Sequence, residues 1–176
     1  MGANDAVPPI VVGVDGSRFG REALRWALAE ASRRDCDVRA LLVANVPSGA
    51  VTGRPDVKEI DTLSAKPGQE QLRLLEETVG AVLDGRDDPR LTAEVVRGSA
   101  SDMLCAASIG AQPLVLGSHG HGSVFEALAG SVARYCVHHA DCPVVVIPAG
   151  LSEQAETVPR ETAGPAPLSY GIGPLL

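Results

Sequence analysis

Between positions 117 and 131 the chain reads Gly-Ser-His-Gly-His-Gly-Ser-Val-Phe-Glu-Ala-Leu-Ala-Gly-Ser, small residues carrying two imidazoles and one carboxylate. Glycines at 117, 120 and 122 have no Cβ, so a ligand can come close to the main chain there. Gly130-Ser131 stands where a helix begins. The unpaired amides and positive dipole end of such a turn attract an anion, and the Ser131 hydroxyl adds a donor. Phosphate is the anion this chemistry suits.

Other phosphate and nucleophile motifs do not fit. A P-loop ends in Gly-Lys-Ser/Thr, but the two lysines, Lys58 and Lys66, follow Val57 and Ala65. The dinucleotide fingerprint fails because Gly120-His-Gly122 is followed three residues later by Phe125. No serine sits in G-x-S-x-G, which removes the usual α/β-hydrolase nucleophile. A zinc site needs three or four convergent ligands. His119 and His121 are two apart, His138 and His139 adjacent, and no carboxylate completes a set, so no metal site is expected. His138-His139 instead suit a helix C-terminus. What remains is G-x2-G-x9-G-S at Gly117, Gly120, Gly130 and Ser131.

The elements that must hold this segment can be read from patterning. Ile10-Val-Val-Gly-Val14 is an unbroken apolar run, as in a strand buried on both faces. Asp15-Gly-Ser17 breaks it. Ser17 can cap a helix that carries Ala23, Leu24, Ala27, Leu28 and Ala31 on one face. Val38 to Val46 is a second strand. Pro47 to Gly68 is too punctuated for regular structure. Leu72, Leu75, Val79 and Val82 mark a second helix ending near Asp84-Gly85, and Leu91 to Val96 is a third strand. Ser99 or Ser101 caps a third helix with Met103, Leu104 and Ala107 inward. Pro113 to Leu116, Ser131 to Ala140 and Pro143 to Ile147 read as strand, helix and strand. Apolar strands alternating with amphipathic helices predict one doubly wound α/β domain, a five-stranded parallel sheet covered on both faces. It spans residues 10–148, between a flexible tail at 1–9 and a Pro/Gly-rich flexible tail at 149–176.

Composition narrows the function classes. The 176 residues carry 22 acidic and 15 basic side chains, a formal charge of −7, with 3% aromatics. That balance argues against a nucleic-acid surface, which wants basic groups and stacking rings. No apolar run approaches the ~18 residues of a membrane span. The first residues lack the basic and apolar regions of a secretory signal, so a cytoplasmic location is expected. Cys36, Cys105, Cys136 and Cys142 contain no C-x-x-C and read as buried, reduced thiols.

Five blocks, VVGVDGS at 11–17, RGSASDML at 97–104, LVLGSHGHG at 114–122, LAGSVA at 128–133 and HHADCPVVVIP at 138–148, together resemble the universal stress protein family, in its ATP-binding subclass. The resemblance covers Ile10 to Pro148. It implies strand order 3-2-1-4-5 with ATP across the switch point. It also implies that Asp15 faces adenine and ribose, that Val43 offers backbone contacts to adenine, and that Gly117, His119 and Gly120 wrap ribose and phosphates. Gly130, Ser131, Val132 and Ala133 would bind phosphates through backbone amides. The family often has Ser or Thr where this chain has Ala133.

Residue chemistry alone leaves alternatives open. Taken in isolation, Asp15 suits a cap on the first βα turn; beside the glycine loop it is read as a ligand contact. Glu126 can assist Mg²⁺ or stay solvated, and Arg134 can reach a phosphate or solvent. The last strand, Val144, Val145, Val146 and Ile147, is an apolar edge that invites pairing, and the resemblance implies a homodimer through it. Alternatively, the tail after Pro148 folds back over it. The expected function is a regulatory protein of stress response that binds ATP, with ADP and AMP as alternatives and Mg²⁺ as companion ion. It would act through nucleotide-dependent conformation, since the segment offers no lysine and no base for phosphoryl transfer. The alternative is a slow ATPase of the adenine-nucleotide hydrolase-like group.

Overall fold

A computed structural model describes residues 7–44, 68–118 and 130–148. Five strands, β1 (Ile10–Val14), β2 (Val38–Ala44), β3 (Leu91–Arg97), β4 (Leu114–Gly117) and β5 (Val144–Ile147), form one sheet of order β3-β2-β1-β4-β5. Every pairing is parallel. The fold class and strand order are those expected. The chain winds outward from β1 through β2 to β3, then crosses back to lay β4 on the other side of β1. The switch point therefore lies between β1 and β4.

Alternating side chains send Ile10, Val12 and Val14 to one face and Val11 to the other, so each face has its own core. On the first face lie α1 (Arg18–Arg34) and α2 (Gln69–Leu83). On the second lie α3 (Ala100–Ala107) and α4 (Ser131–His139). Helix α1 begins as its sequence dictates. The Ser17 Oγ accepts from the Gly20 N–H at 3.1 Å, and the small residues Gly20, Ala23, Ala27 and Ala31, with Leu24, let the helix lie close on the sheet. It ends at Asp35, held in the left-handed region at φ 53°.

Helix α2 departs from the expected stripe. Leu72 is exposed, whereas Leu75 and Thr78 are buried, and Leu74, Val79 and Val82 pack against the core. The Thr78 hydroxyl donates to the Leu74 carbonyl at 2.7 Å, which allows a polar residue to be buried there. Ser99 takes the N-cap position of α3, with Met103, Leu104 and Ala107 inward as expected. Three of the cysteines are buried and Cys142 is half-buried, and none is in a disulfide.

Candidate functional site

Strand β1 hands Asp15 to the carboxyl edge of the sheet. The main chain turns at Gly16, where φ is +81°, a conformation that suits glycine. One carboxylate oxygen of Asp15, Oδ1, accepts from the Ser17 N–H at 3.0 Å. Asp15 is therefore a turn-closing residue in fact, half-buried at the mouth of the switch point. Arg21 braces the same turn, its Nη1 donating to the Gly16 carbonyl at 2.7 Å. The start of α1 leaves no room to spare, since a Cβ at Gly20 would stand 2.8 Å from Asp15 Oδ1.

Val43 sits beside this turn. The register pairs Val14 with Leu42, so the next step brings Asp15 level with Val43. Val43 is half-buried and packs against the second core, opposite Val96 of β3. On the far side of β1, the pairs Val11–Leu114 and Val12–Val115 carry Gly117 to the level of Val14. Three strand ends thus meet at one edge, where open α/β sheets hold their ligands.

The two ends of the glycine segment also meet. The Gly130 N–H donates to the Ser118 carbonyl at 2.5 Å, and the Ser118 N–H donates to the Ile147 carbonyl at 2.8 Å. Ser118, which the spacing argument passed over, is the buried clasp between β4, β5 and the start of α4. Its only sequence signal is its place inside the motif. Gly130 is the N-cap of α4 and brings no side-chain cap. The helical ladder opens with the Arg134 N–H donating to the Gly130 carbonyl at 2.9 Å. The amides of Ser131, Val132 and Ala133 lie ahead of it and have no partner within the helix. That donor set fits an anion. Ser131 is exposed and Val132 half-buried, while the Ala133 side chain is buried in the second core and offers no hydroxyl.

The structure therefore brings together Asp15, Val43, Gly117, Gly130, Ser131, Val132 and Ala133. His119 and Gly120, with His121, Gly122 and Glu126, lie outside the described residues. Gly117 has a structural reason of its own, since a Cβ there would meet Phe19 of α1 at 2.7 Å. His138 and His139 occupy the last turn of α4, as expected. The His139 ring stacks on Tyr135 with centroids 4.1 Å apart. Among the described residues, no group of three or more His, Cys, Asp or Glu is placed to hold a metal ion. Among the same residues, no helix is long and apolar enough to cross a membrane.

A sequence model described as the universal stress protein family matches residues 7–148. A universal stress protein of Mycobacterium tuberculosis is 31% identical over 163 residues, which cover 84% of this chain and 50% of the relative. One of Mycolicibacterium smegmatis is 31% identical over 143 residues, covering 78% of this chain and 47% of the relative. The chain thus spans about half the length of these relatives. Among solved structures, a universal stress protein from Lactobacillus plantarum superposes with a TM-score of 0.54 at 24% identity, covering 82% of this chain and 99% of that one. A universal stress protein solved in complex with cAMP gives a TM-score of 0.56 at 20% identity, covering 81% and 98%. Both share the fold.

Proposed function

The chain belongs to the universal stress protein family, and on that premise we propose that it is a regulatory protein that binds an adenine nucleotide, ATP foremost, across the β1/β4 switch point. The observation that carries this reading is the pairing of Gly130 N–H with Ser118 carbonyl. It sets the open first turn of α4 beside the end of β4, the strand next to β1 and its Asp15 turn. In this reading the amides of Ser131, Val132 and Ala133 hold phosphate oxygens, with Ser131 adding its hydroxyl. Asp15 and the Val43 backbone take the ribose and adenine. Gly117, His119 and Gly120 line the ribose and phosphates between them. Mg²⁺ would ride on the phosphates, since the described residues supply no carboxylate cluster for it. Occupancy, rather than turnover, is the signal. The described part of the site contains backbone amides, the Ser131 hydroxyl and the Asp15 carboxylate, already engaged in a turn, a set suited to holding a phosphate tail rather than to activating an in-line water.

Titration calorimetry with ATP, ADP, AMP and cAMP, with and without Mg²⁺, tests the reading. Saturable binding below millimolar concentration is expected. Ser131→Pro removes one amide at the first helical position, where proline is tolerated. A hydrogen bond to a charged group contributes ~1.5–3 kcal/mol, so affinity for the phosphorylated ligand should fall at least about tenfold while the helix persists. An absence of saturable binding to wild type overturns the proposal. Steady-state release of phosphate that tracks binding in both proteins would replace the regulatory reading with the slow ATPase.

A further inference from the structure

Among the described residues, the second face of the sheet is covered by α3 and α4, and these helices meet through two thiols. Cys105 of α3 is 1% exposed and Cys136 of α4 is 0% exposed, each part of the second core. Their sulfurs are 3.8 Å apart, with the Cys105 Sγ–H donating to Cys136 Sγ. That is van der Waals contact between sulfurs. A disulfide needs about 2.05 Å, so closure asks for a movement of less than about 2 Å by two helices that pack through their side chains and are also joined by Tyr135, whose hydroxyl donates to Asp102 Oδ1 at 3.3 Å. Nothing in the candidate site uses either thiol.

We propose that Cys105 and Cys136 are a disulfide-forming pair, oxidised by a peroxide to a reversible covalent staple between α3 and α4. The chemistry balances as two thiols plus one peroxide. One thiolate attacks a peroxide oxygen, breaking the O–O bond and expelling the other oxygen as water or alcohol, which leaves a sulfenic acid. The neighbouring thiol sulfur then displaces that oxygen, which leaves as water with the thiol proton, and the S–S bond forms. The thiols carry the two electrons lost and the peroxide takes them up. Burial, with the Cys105 thiol beside it, pushes the Cys136 thiol above its ordinary range, so little thiolate is available at neutral pH and attack on the peroxide is slow there. The rate rises roughly tenfold per pH unit while the thiol predominates. Cys36 lies in the other core, on the opposite face, and has no part in the pair. Cys142, half-buried ahead of β5, donates to the Pro143 carbonyl at 3.5 Å.

The test treats the full chain with hydrogen peroxide, quenches it, unfolds it in the presence of an alkylating reagent, and measures intact mass and digested peptides. The expected product carries two alkyl groups instead of four and lacks the two thiol hydrogens of the cross-linked pair, with a peptide containing Cys105 joined to one containing Cys136. Cys36 and Cys142 remain alkylatable, and reduction restores four reactive thiols. Cys142→Ser leaves the cross-link in place and Cys136→Ser abolishes it, but the wild-type peptide map decides the matter without either variant. Four alkylatable thiols after peroxide, a bond involving Cys142 instead, or a bond between two copies of the chain would each overturn the proposal.

Discussion

A methyl group on Gly117 would sit 2.7 Å from Phe19 Cβ and 2.8–2.9 Å from the Phe19 carbonyl carbon and oxygen. The obstacle is mostly main chain of α1, which cannot rotate aside as a side-chain tip can. Gly117 therefore lets α1 lie across the end of β4. Gly117→Ala should lower stability by about 1–3 kcal/mol, the range for forcing extra volume into a packed site, read as a lower urea midpoint. Gly80 is the matched control. It lies inside α2 with nothing within 4 Å of a built Cβ, so Gly80→Ala should stabilise by about 0.5–1 kcal/mol through helix propensity and chain entropy. Equal midpoints for the two variants would refute the packing role of Gly117. Asp15 joins two functions at the same scale. Its carboxylate closes the turn onto Ser17, and the same turn holds it at the mouth of the switch point.

At the scale of elements, helices α3 and α4 and the segment leading into β5 rest on thiols kept protonated. Desolvation moves the pKa of Cys136 and of Cys142 above the ordinary thiol value of 9.0. In the unfolded chain both ionise near that value, while the folded chain still holds the protons. The unfolded state thus binds fewer protons above pH 9, and stability, complete below it, falls as pH rises further. The loss should approach about 1.4 kcal/mol per pH unit for Cys136, the fully buried thiol. Urea unfolding between pH 8 and 11 would show it, and Cys136→Ala should flatten the slope even though it lowers the absolute stability. An unchanged slope would mean that the buried thiol ionises as freely as an exposed one. Most elements were legible in the sequence because their signal is local. Runs rich in apolar, mostly β-branched or leucine residues mark the five strands, unbroken in Ile10–Val14 and interrupted by Arg39 in β2 and by Thr92 and Glu94 in β3; Ser17 announces the start of α1, and Asp84-Gly85 the end of α2. The stripe of α2 was misread at Leu72 because Thr78, a polar residue, takes a buried place by bonding its own helix. In the site, Gly130 and Ser131 were legible from helix-start chemistry. The clasp at Ser118 and the contact of Gly117 with Phe19 were not. Both depend on which elements become neighbours across the switch point, which no local pattern encodes.

At the scale of the whole molecule, β5 closes one end of the sheet. Its Pro143 and Ile147 carbonyls accept from Leu114 and Ser118 on the β4 side. Strand alternation then turns the amides and carbonyls of Val144 and Val146 outward, along the edge. The four side chains of β5 belong to the margins of both cores, with Val144, Val145 and Val146 half-buried and Ile147 buried. A short aliphatic edge with outward-facing main-chain groups is a template for a second strand, and we propose that a second copy of this chain supplies it. Sedimentation velocity should show a dimer for the wild type. Val146→Pro removes an outward donor while sparing the bonds to β4, and proline is tolerated on edge strands. It should shift the population to monomer with the far-ultraviolet circular dichroism unchanged. A monomeric wild type would end the proposal. A Val146→Pro protein that stays dimeric would place the contact on another surface, leaving the β5 edge to be covered by some other means.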